Sequence, residues 1–284
     1  MRATLLGSLA AGIGIAVMAA PALAQSRIHW APSYAAALAQ ARTTHKLVMA
    51  DFYADWCGWC KRMDRDTYTD QKVIRLSQQF IPVRVNSDRE GANAARQYGV
   101  TGLPTVLFIN SSGRVEDTIN GYLPPANFAT ELTRIAQEHQ QIPVLQSRFR
   151  AHPQDVEAAG KLADLYARQR DTARAGAVLA SAEQRDPHNS RGCLTRAYND
   201  LGAAYVQQGS LDQAIPLFRK ASRTGKQPLD VAFGHMSLAI CYLQQHEPAQ
   251  AKPELKAVLA MPNAPGRIKQ AAQQMLGAIQ QHGG

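Results

Sequence analysis

The sequence predicts an α/β domain, with a mixed central sheet flanked by helices, followed by an all-α domain of helical repeats. Two observations support this prediction. Strand-like and helix-like patterns alternate from residue 28 to about residue 140, and every periodic segment after the prolines near residue 150 is helical. The chain has 284 residues, more than the ~100–150 of an ordinary domain, so two separate cores are expected.

The composition is that of a folded globular protein, with 45% hydrophobic and 19% charged residues. The formal net charge of +9 is scattered along the chain rather than gathered in blocks, which is typical of a solvated surface. This pattern, together with the export signal described next, argues against nucleic acid as a partner.

The first residues have the pattern of a secretory signal. Arg2 gives a basic start, residues 3–20 an apolar run, and Ala22 and Ala24 a small-x-small cleavage site. We predict cleavage after Ala24, which makes residues 1–24 a signal peptide. An uncleaved membrane anchor is the alternative, but the run is rich in Gly and Ala and shorter than the ~20 apolar residues that a span needs. The expected location is periplasmic or secreted, with no stable membrane span after cleavage.

Hydrophobic periodicity and turn signals define the elements of the first domain, which we place at residues 25–140. Helices are predicted at 33–44, 57–66, 70–79, 91–98 and 124–140, and strands at 46–53, 81–86, 105–109 and 115–120. Prolines then interrupt the pattern, so residues 141–153 are predicted to be a linker and residues 154–284 the helical domain.

Three tyrosines set a repeating register in the helical domain. They lie 39 and 37 residues apart, and each is followed nine residues later by an alanine; the pairs are Tyr166 and Ala175, Tyr205 and Ala214, Tyr242 and Ala251. This pattern resembles the tetratricopeptide repeat, in which small residues lie where paired helices touch. The resemblance implies a surface for a protein or peptide partner, and residues 266–280 are expected to form a capping helix. A generic helical bundle is the alternative.

Cys57 and Cys60 form a Cys-x-x-Cys pair at the junction of a predicted strand and helix. At a helix N-terminus, unpaired amides and the helix dipole favour a thiolate, so Cys57 is the expected nucleophile. Cys60, one turn further along, is the expected resolving thiol. Half of a zinc site and a purely structural disulfide are the alternatives. A structural zinc site needs four ligands, and this pair supplies only two. No metal is therefore expected, and no cofactor is expected either.

The residues around this pair resemble the thioredoxin-like superfamily. Trp56 precedes the first cysteine, Lys61 follows the second, and residues 102–105 read Gly-Leu-Pro-Thr, all in the family's order. The resemblance implies that Pro104 is a cis proline facing the two sulfurs, with the backbone of Leu103 free to pair with an extended substrate. From the residues alone, Pro104 could also be an ordinary turn proline.

The same resemblance assigns the other site residues. Gly58 and Trp59, between the cysteines, are expected to bind substrate together with Trp56 and Leu103. Asp51, on an otherwise apolar strand, corresponds to a buried carboxylate; if unpaired it has a raised pKa and could accept the proton of the resolving thiol. The alternative for Asp51 is a partly solvated aspartate at the strand end.

Trp59 departs from the thioredoxin pattern, which usually has proline there, so the direction of the redox chemistry is open between reductase, oxidase and isomerase. Residues 61–73 resemble exported thioredoxin-like proteins of a membrane-reductase electron chain. This second resemblance favours a reductase and implies a membrane electron-donor reductase as a partner.

Three classes of function follow. The first is a thiol-disulfide oxidoreductase that reduces or exchanges disulfides of exported client proteins, with the repeats selecting the client. The second is a redox-dependent assembly factor, for example in cytochrome c maturation. The third is a non-enzymatic binding scaffold, which the retention of both cysteines, Pro104 and Asp51 disfavours.

Two features of the helical domain have both a functional and a structural interpretation. The apolar positions of the third repeat could line a groove for a client or pack on a neighbouring helix; they are Phe233, Met236, Ile240 and Leu243. Cys193 and Cys241 are too far apart on the repeat template for a disulfide. Both are therefore predicted to be free, buried thiols.

Overall fold

The computed structural model describes residues 27–282. The predicted signal peptide, residues 1–24, lies outside them. The first domain contains a four-stranded sheet with the order β2-β1-β3-β4. The strands are β1 (Val48–Tyr53), β2 (Ile81–Asn86), β3 (Thr105–Ile109) and β4 (Val115–Asn120). The pairing of β1 with β2 is parallel, and the other two pairings are antiparallel, so the predicted mixed sheet is confirmed.

Strand β1 lies inside the sheet because its residues are apolar on both faces. Met49 packs with the cluster around Phe128, and Val48, Ala50 and Phe52 pack with the cluster on the opposite face. Such near-continuous apolar runs are typical of strands covered on both sides. The turn between β3 and β4 also follows the prediction, since Gly113 has a φ of +83° and its N–H bonds to the Asn110 carbonyl at 2.9 Å.

Helices flank the sheet on both faces. In chain order they are α1 (Tyr34–Thr44), α2 (Gly58–Arg62), α3 (Gln71–Ser77), α4 (Ala92–Gln97) and α5 (Pro125–Ala151). The predicted helix over 57–66 is interrupted, because a π-helical turn (Met63–Thr67) follows α2. This turn places Met63 in the core and lets the Thr67 hydroxyl donate to the Leu123 carbonyl at 2.7 Å.

The predicted linker differs most from the structure. Helix α5 continues through Pro143 to Ala151, so residues 141–151 are helical. Proline inside a helix costs ~3 kcal/mol, but Ile142 and Leu145 on the same turns are buried in the core of the helical domain, which offsets that cost. The division into domains at residues 141–153 stays a prediction.

The second half of the chain is all helical, as predicted. Its helices are α6 (Val156–Arg168), α7 (Thr172–Glu183), α8 (Thr195–Gln207), α9 (Leu211–Thr224), α10 (Pro228–Gln244), α11 (Pro248–Ala260) and α12 (Gly266–His282). The three register alanines, Ala175, Ala214 and Ala251, are fully buried. Gly202 shows why small residues are needed here, since a Cβ at this position would lie 2.7 Å from the Phe218 ring.

The apolar positions of the third repeat divide between their two interpretations, and the predicted burial is wrong for one of the two free cysteines. Met236 and Leu243 pack on the core, whereas Phe233 and Ile240 are 45% and 40% exposed. Cys193 and Cys241 are both free, but only Cys241 is buried. Cys193 is half-buried because it lies in the loop before α8 rather than in a helix interior.

The two halves of the chain meet at Glu116 of β4. This buried carboxylate contacts His139 Nδ1 of α5 at 3.0 Å and accepts from Gln169 Nε2, after α6, at 3.1 Å. Arg114 adds an ion pair of 2.7 Å to Asp171. A charged, hydrogen-bonded contact therefore joins the sheet to the first helical pair. Within residues 27–282, no helix is both long and apolar enough to cross a membrane.

We expect this contact to depend on pH through His139. Burial lowers the pKa of His139, but hydrogen bonds to Glu116 and to the His45 carbonyl outweigh it and leave the pKa above its ordinary value. A raised folded-state pKa stabilises the protein below ~6.5 and loses this contribution as the pH rises through the folded pKa.

His139→Gln should therefore lower the melting temperature at pH 6 by roughly 2–4 °C, the shift that 1 kcal/mol produces in a domain of 150–250 residues. At pH 9 the wild type and His139→Gln should have the same melting temperature. The exposed residue His29 supplies the control variant His29→Gln, which should change neither melt. A constant difference between His139→Gln and wild type across this range would show that the ion pair does not stabilise the contact.

Candidate active site

The local fold places Cys57 at the start of a helix. Strand β1 ends at Tyr53, a short turn follows, and Cys57 is the N-cap of α2. Its sulfur accepts the backbone N–H of Cys60 at 3.1 Å, and the two cysteines are joined in a disulfide. Cys57 is therefore held where helix amides and the helix dipole would stabilise a thiolate once the disulfide is reduced.

Leu103 lies beside the two cysteines. Cys57, Cys60 and Ala54 form a small buried cluster against which Leu103 packs. The Leu103–Pro104 peptide is cis, as the resemblance implied. The Pro104 carbonyl accepts the N–H of Gly121 at 2.8 Å, so the proline is fixed to the end of β4.

Asp51 is buried, as predicted, but it is not unpaired. It is 1% exposed, and its Oδ2 lies 3.3 Å from Nε of Arg84 on β2. Burial raises the pKa of Asp51 to about 6, although the Arg84 charge and the Tyr68 hydroxyl oppose the shift. Among the described residues, Asp51 Oδ1 is buried without a hydrogen-bond partner. The carboxyl group therefore lies buried beside Arg84 and the Tyr68 hydroxyl, with a pKa of about 6.

Arg84 was missed by the sequence analysis, although an arginine in the apolar strand β2 was a visible signal. Its guanidinium contacts Asp64 of the π-helical turn at 2.7 Å. It also lies over the rings of Tyr53 and Trp30, at 4.1 and 5.6 Å from their centroids. The side chain is thereby fixed by two carboxylates and two aromatic rings.

The two tryptophans of the motif lie on the surface around the disulfide. Trp56 is 70% exposed, and its Nε1 donates to Asp88 at 2.7 Å. Trp59 is 55% exposed and stacks on Tyr122, with the ring centroids 5.5 Å apart. Arg62 lies over the Tyr122 ring at 4.7 Å from its centroid.

Sequence reasoning did not identify Arg62 or Tyr122. They hold Trp59 in place, so the indoles are fixed apolar surfaces beside the disulfide. A Cβ at Gly58 would meet no atom within 4 Å, so its neighbourhood is open space. These surroundings suit contact with another polypeptide.

The described residues contain no cluster of three or more His, Cys, Asp or Glu side chains that could hold a metal ion. The groups in this arrangement that can react are the two cysteine sulfurs and the Asp51 carboxyl group.

Comparison with known proteins agrees with this geometry. Residues 34–136 match the family model of a thioredoxin-like domain, and residues 195–223 match that of a tetratricopeptide repeat. Both resemblances drawn from the sequence are confirmed over these ranges.

Similar curated proteins include two described as thiol:disulfide interchange protein DsbD. One, from Actinobacillus pleuropneumoniae serotype 5b (strain L20), is 33% identical over 95 residues, 32% of this chain and 16% of the relative. The other, from Yersinia pestis (strain Pestoides F), is 35% identical over 106 residues, 36% of this chain and 18% of the relative. The chain thus spans less than a fifth of the length of either relative.

Among solved structures, a thioredoxin from Thermus thermophilus is 31% identical, with a TM-score of 0.37, covering 40% of this chain and 90% of that one. The structure titled DsbH oxidoreductase is 21% identical, with a TM-score of 0.36, covering 44% of this chain and 94% of that one.

The contact between Asp51 and Arg84 predicts a pH-dependent loss of stability in Arg84→Met. The raised folded-state pKa of Asp51 means that its ionisation costs stability as the pH rises through about 6. Without Arg84 the buried charge is uncompensated, so at pH 8 the free energy of unfolding should fall by ~3 kcal/mol. The loss should be clearly smaller at pH 5, where Asp51 is protonated.

Denaturant unfolding at the two pH values measures this difference. Adding Asp51→Asn to Arg84→Met should recover most of the loss at pH 8. Arg89→Met is the matched control, because Arg89 pairs with Asp55 on the surface and such exposed pairs contribute ~0–1 kcal/mol. An Arg84→Met loss that is equal at both pH values would contradict the role assigned to the buried charge.

Proposed function

We propose that this chain, in which a thioredoxin-like domain is joined to tetratricopeptide-type helices, is an exported thiol-disulfide oxidoreductase that reduces or exchanges disulfides of client proteins. The observation that carries the proposal is the position of the disulfide. Cys57 caps helix α2 while joined to Cys60, and the cis Pro104 and the exposed Trp56 and Trp59 belong to the same region.

The reaction begins from the reduced pair. The Cys57 thiolate attacks one sulfur of the client disulfide, forming a mixed disulfide and releasing the other client sulfur as a thiolate, which takes a proton from water. Cys60 then attacks Cys57 Sγ, which releases the second client thiolate and leaves the Cys57–Cys60 disulfide. The client gains two electrons from the enzyme and two protons, one from water and one that came from Cys60.

Asp51 is the proposed base for the second step. Cys60 must lose its proton before it attacks, and a carboxylate with a pKa of about 6 is ionised at neutral pH and can take that proton. The buried Oδ1, which has no partner among the described residues, is the oxygen available for it. The proton then returns to the leaving client thiolate or to solvent.

The reductase direction is proposed because residues 61–73 have the extended pattern noted above, and the matched relatives are described as thiol:disulfide interchange proteins without a stated direction. The enzyme must then be reduced again after each cycle. We assign this step to an electron-donating membrane reductase, acting in the periplasm or on the cell exterior after removal of residues 1–24. Dithiothreitol replaces that donor in solution.

The repeats are the proposed site for binding clients or partners. The match to a tetratricopeptide repeat at residues 195–223 supports this assignment, because such helical pairs present concave surfaces to polypeptides. Within this proposal the catalytic domain comprises residues 25–140 and the repeat domain residues 154–284.

The reaction is tested with the mature chain, insulin and dithiothreitol. Wild type should accelerate insulin reduction, and Cys57→Ser should abolish the acceleration because no mixed disulfide can form. With dithiothreitol removed after reduction, Cys60→Ser should instead accumulate the mixed disulfide with insulin, detected as a covalent adduct that added dithiothreitol releases. The control Cys193→Ser should retain full activity, since Cys193 lies in the loop before α8. Retention of activity by Cys57→Ser would rule out the mechanism.

A further inference from the structure

A cavity of about 440 Å³ lies between the sheet and the helical pairs. One wall comes from β4, through Val115, Thr118 and Asn120, and the other from the ends of α6 and α8, through Arg168 and Ala203. Neither the cysteines nor the exposed residues of α10 line this cavity.

The walls of the cavity are fixed in place by contacts between the two halves of the chain. Gln169 donates to Glu116 at 3.1 Å, and both residues line the cavity. Arg168 bridges Glu138 of α5 and Asp200 of α8, each at 2.9 Å. The cavity is therefore preformed, and binding in it does not require the two halves to come together first.

One end of the cavity leads toward the disulfide site. Asn120, which lines the cavity, pairs with Thr105 across the sheet, and Thr105 directly follows the cis Pro104. The neighbouring Gly121 bonds to the Pro104 carbonyl at 2.8 Å. Strand β4 has six residues, so at ~3.4 Å per residue the cavity extends ~17 Å from the proline end.

We propose that this cavity binds an extended segment of the client polypeptide that flanks its reacting cysteine. The inference rests on the proposed function, because a client held on Cys57 must pass Pro104. Its residues about three to six positions from the cysteine then reach the cavity, since an extended chain also advances ~3.3 Å per residue. The helices of the repeats thereby bind the same client segment whose disulfide the thiols attack.

The lining has the chemistry that a polypeptide needs. Arg168 and Gln207 supply donors for peptide carbonyls, and Asn120 supplies both a donor and an acceptor. Leu107 and Ala203 supply apolar surface for side chains. In the part of the chain that the structure describes, β3 is the sole strand paired with β4, so the outer edge of β4 is not taken by another strand.

The test uses the full mature chain and synthetic disulfide peptides with the same cystine core. The short peptide ends two residues from the reacting cysteine, and the long one carries about eight further residues, enough to span the ~17 Å of β4. kcat/KM is measured for each peptide with dithiothreitol as reductant, and the value for the long peptide is divided by that for the short one. Two long peptides are used, one extended on the N-terminal side of the cysteine and one on the C-terminal side. In wild type, extension in one of the two directions should give a ratio of about 10, which corresponds to ~1.4 kcal/mol of added binding.

Ala203→Tyr fills the cavity and should bring that ratio close to 1. The matched control is Ala180→Tyr, since Ala180 is exposed on the outer helix α7, and it should keep the wild-type ratio. If Ala203→Tyr does not fold, Gln207→Trp at the exposed end of α8 replaces it with the same expected loss.

Photo-crosslinking locates the bound segment independently. A benzoyl-phenylalanine in the extension should attach to residues 203–207 or 115–120. Attachment instead to the exposed side chains Leu229, Phe233 and Ile240 would overturn the proposal in favour of the α10 surface. A wild-type ratio of 1, or equal ratios in the two tyrosine variants, would also overturn it. Failure of wild type to reduce even the short peptide would remove the proposed function itself.

Discussion

The buried pair of Asp51 and Arg84 connects the parts of the structure that make up the disulfide site. Asp51 is on β1, the strand that leads to Cys57, and Arg84 is on the parallel neighbour β2. The same guanidinium contacts Asp64 in the turn after α2 and lies over the Trp30 ring. One cation thus holds two strands, the segment after the cysteines and the segment before α1 around a single buried carboxylate.

The sequence predicted the features of this site that depend on neighbouring residues, and it did not predict contacts between residues far apart in the chain. Local signals located the Cys-x-x-Cys pair, the cis proline at Pro104 and the burial of Asp51, because a strand, a turn and a resemblance carry that information within a few residues. The partner of Asp51 was not predicted, since Arg84 is 33 positions away in the chain and only the parallel pairing of β1 and β2 brings them together. Tyr122 was missed for the same reason, since it stacks on Trp59 from a distant part of the chain.

The linker shows the opposite case, in which a local signal was misleading. Pro143 predicts an interruption, yet α5 continues because Ile142 and Leu145 bury in the helical domain. This continuous helix and the contacts of Glu116 fix the repeats against the sheet. In the proposed mechanism, the repeats therefore hold the client at a set distance from the thiols, which increases the effective concentration of its disulfide.

The central claim is that Asp51 takes the proton of Cys60 in the resolving step. The direct measurement is the single-turnover decay of a preformed mixed disulfide on Cys57, followed from pH 5 to pH 8 in wild type and Asp51→Asn. Because the pKa of Asp51 is raised to about 6, the wild-type rate should increase through that pH. Asp51→Asn should lack the increase and be slower at pH 7 by about 10²-fold, the usual contribution of a general base. Equal rates and equal pH profiles in the two proteins would contradict the account.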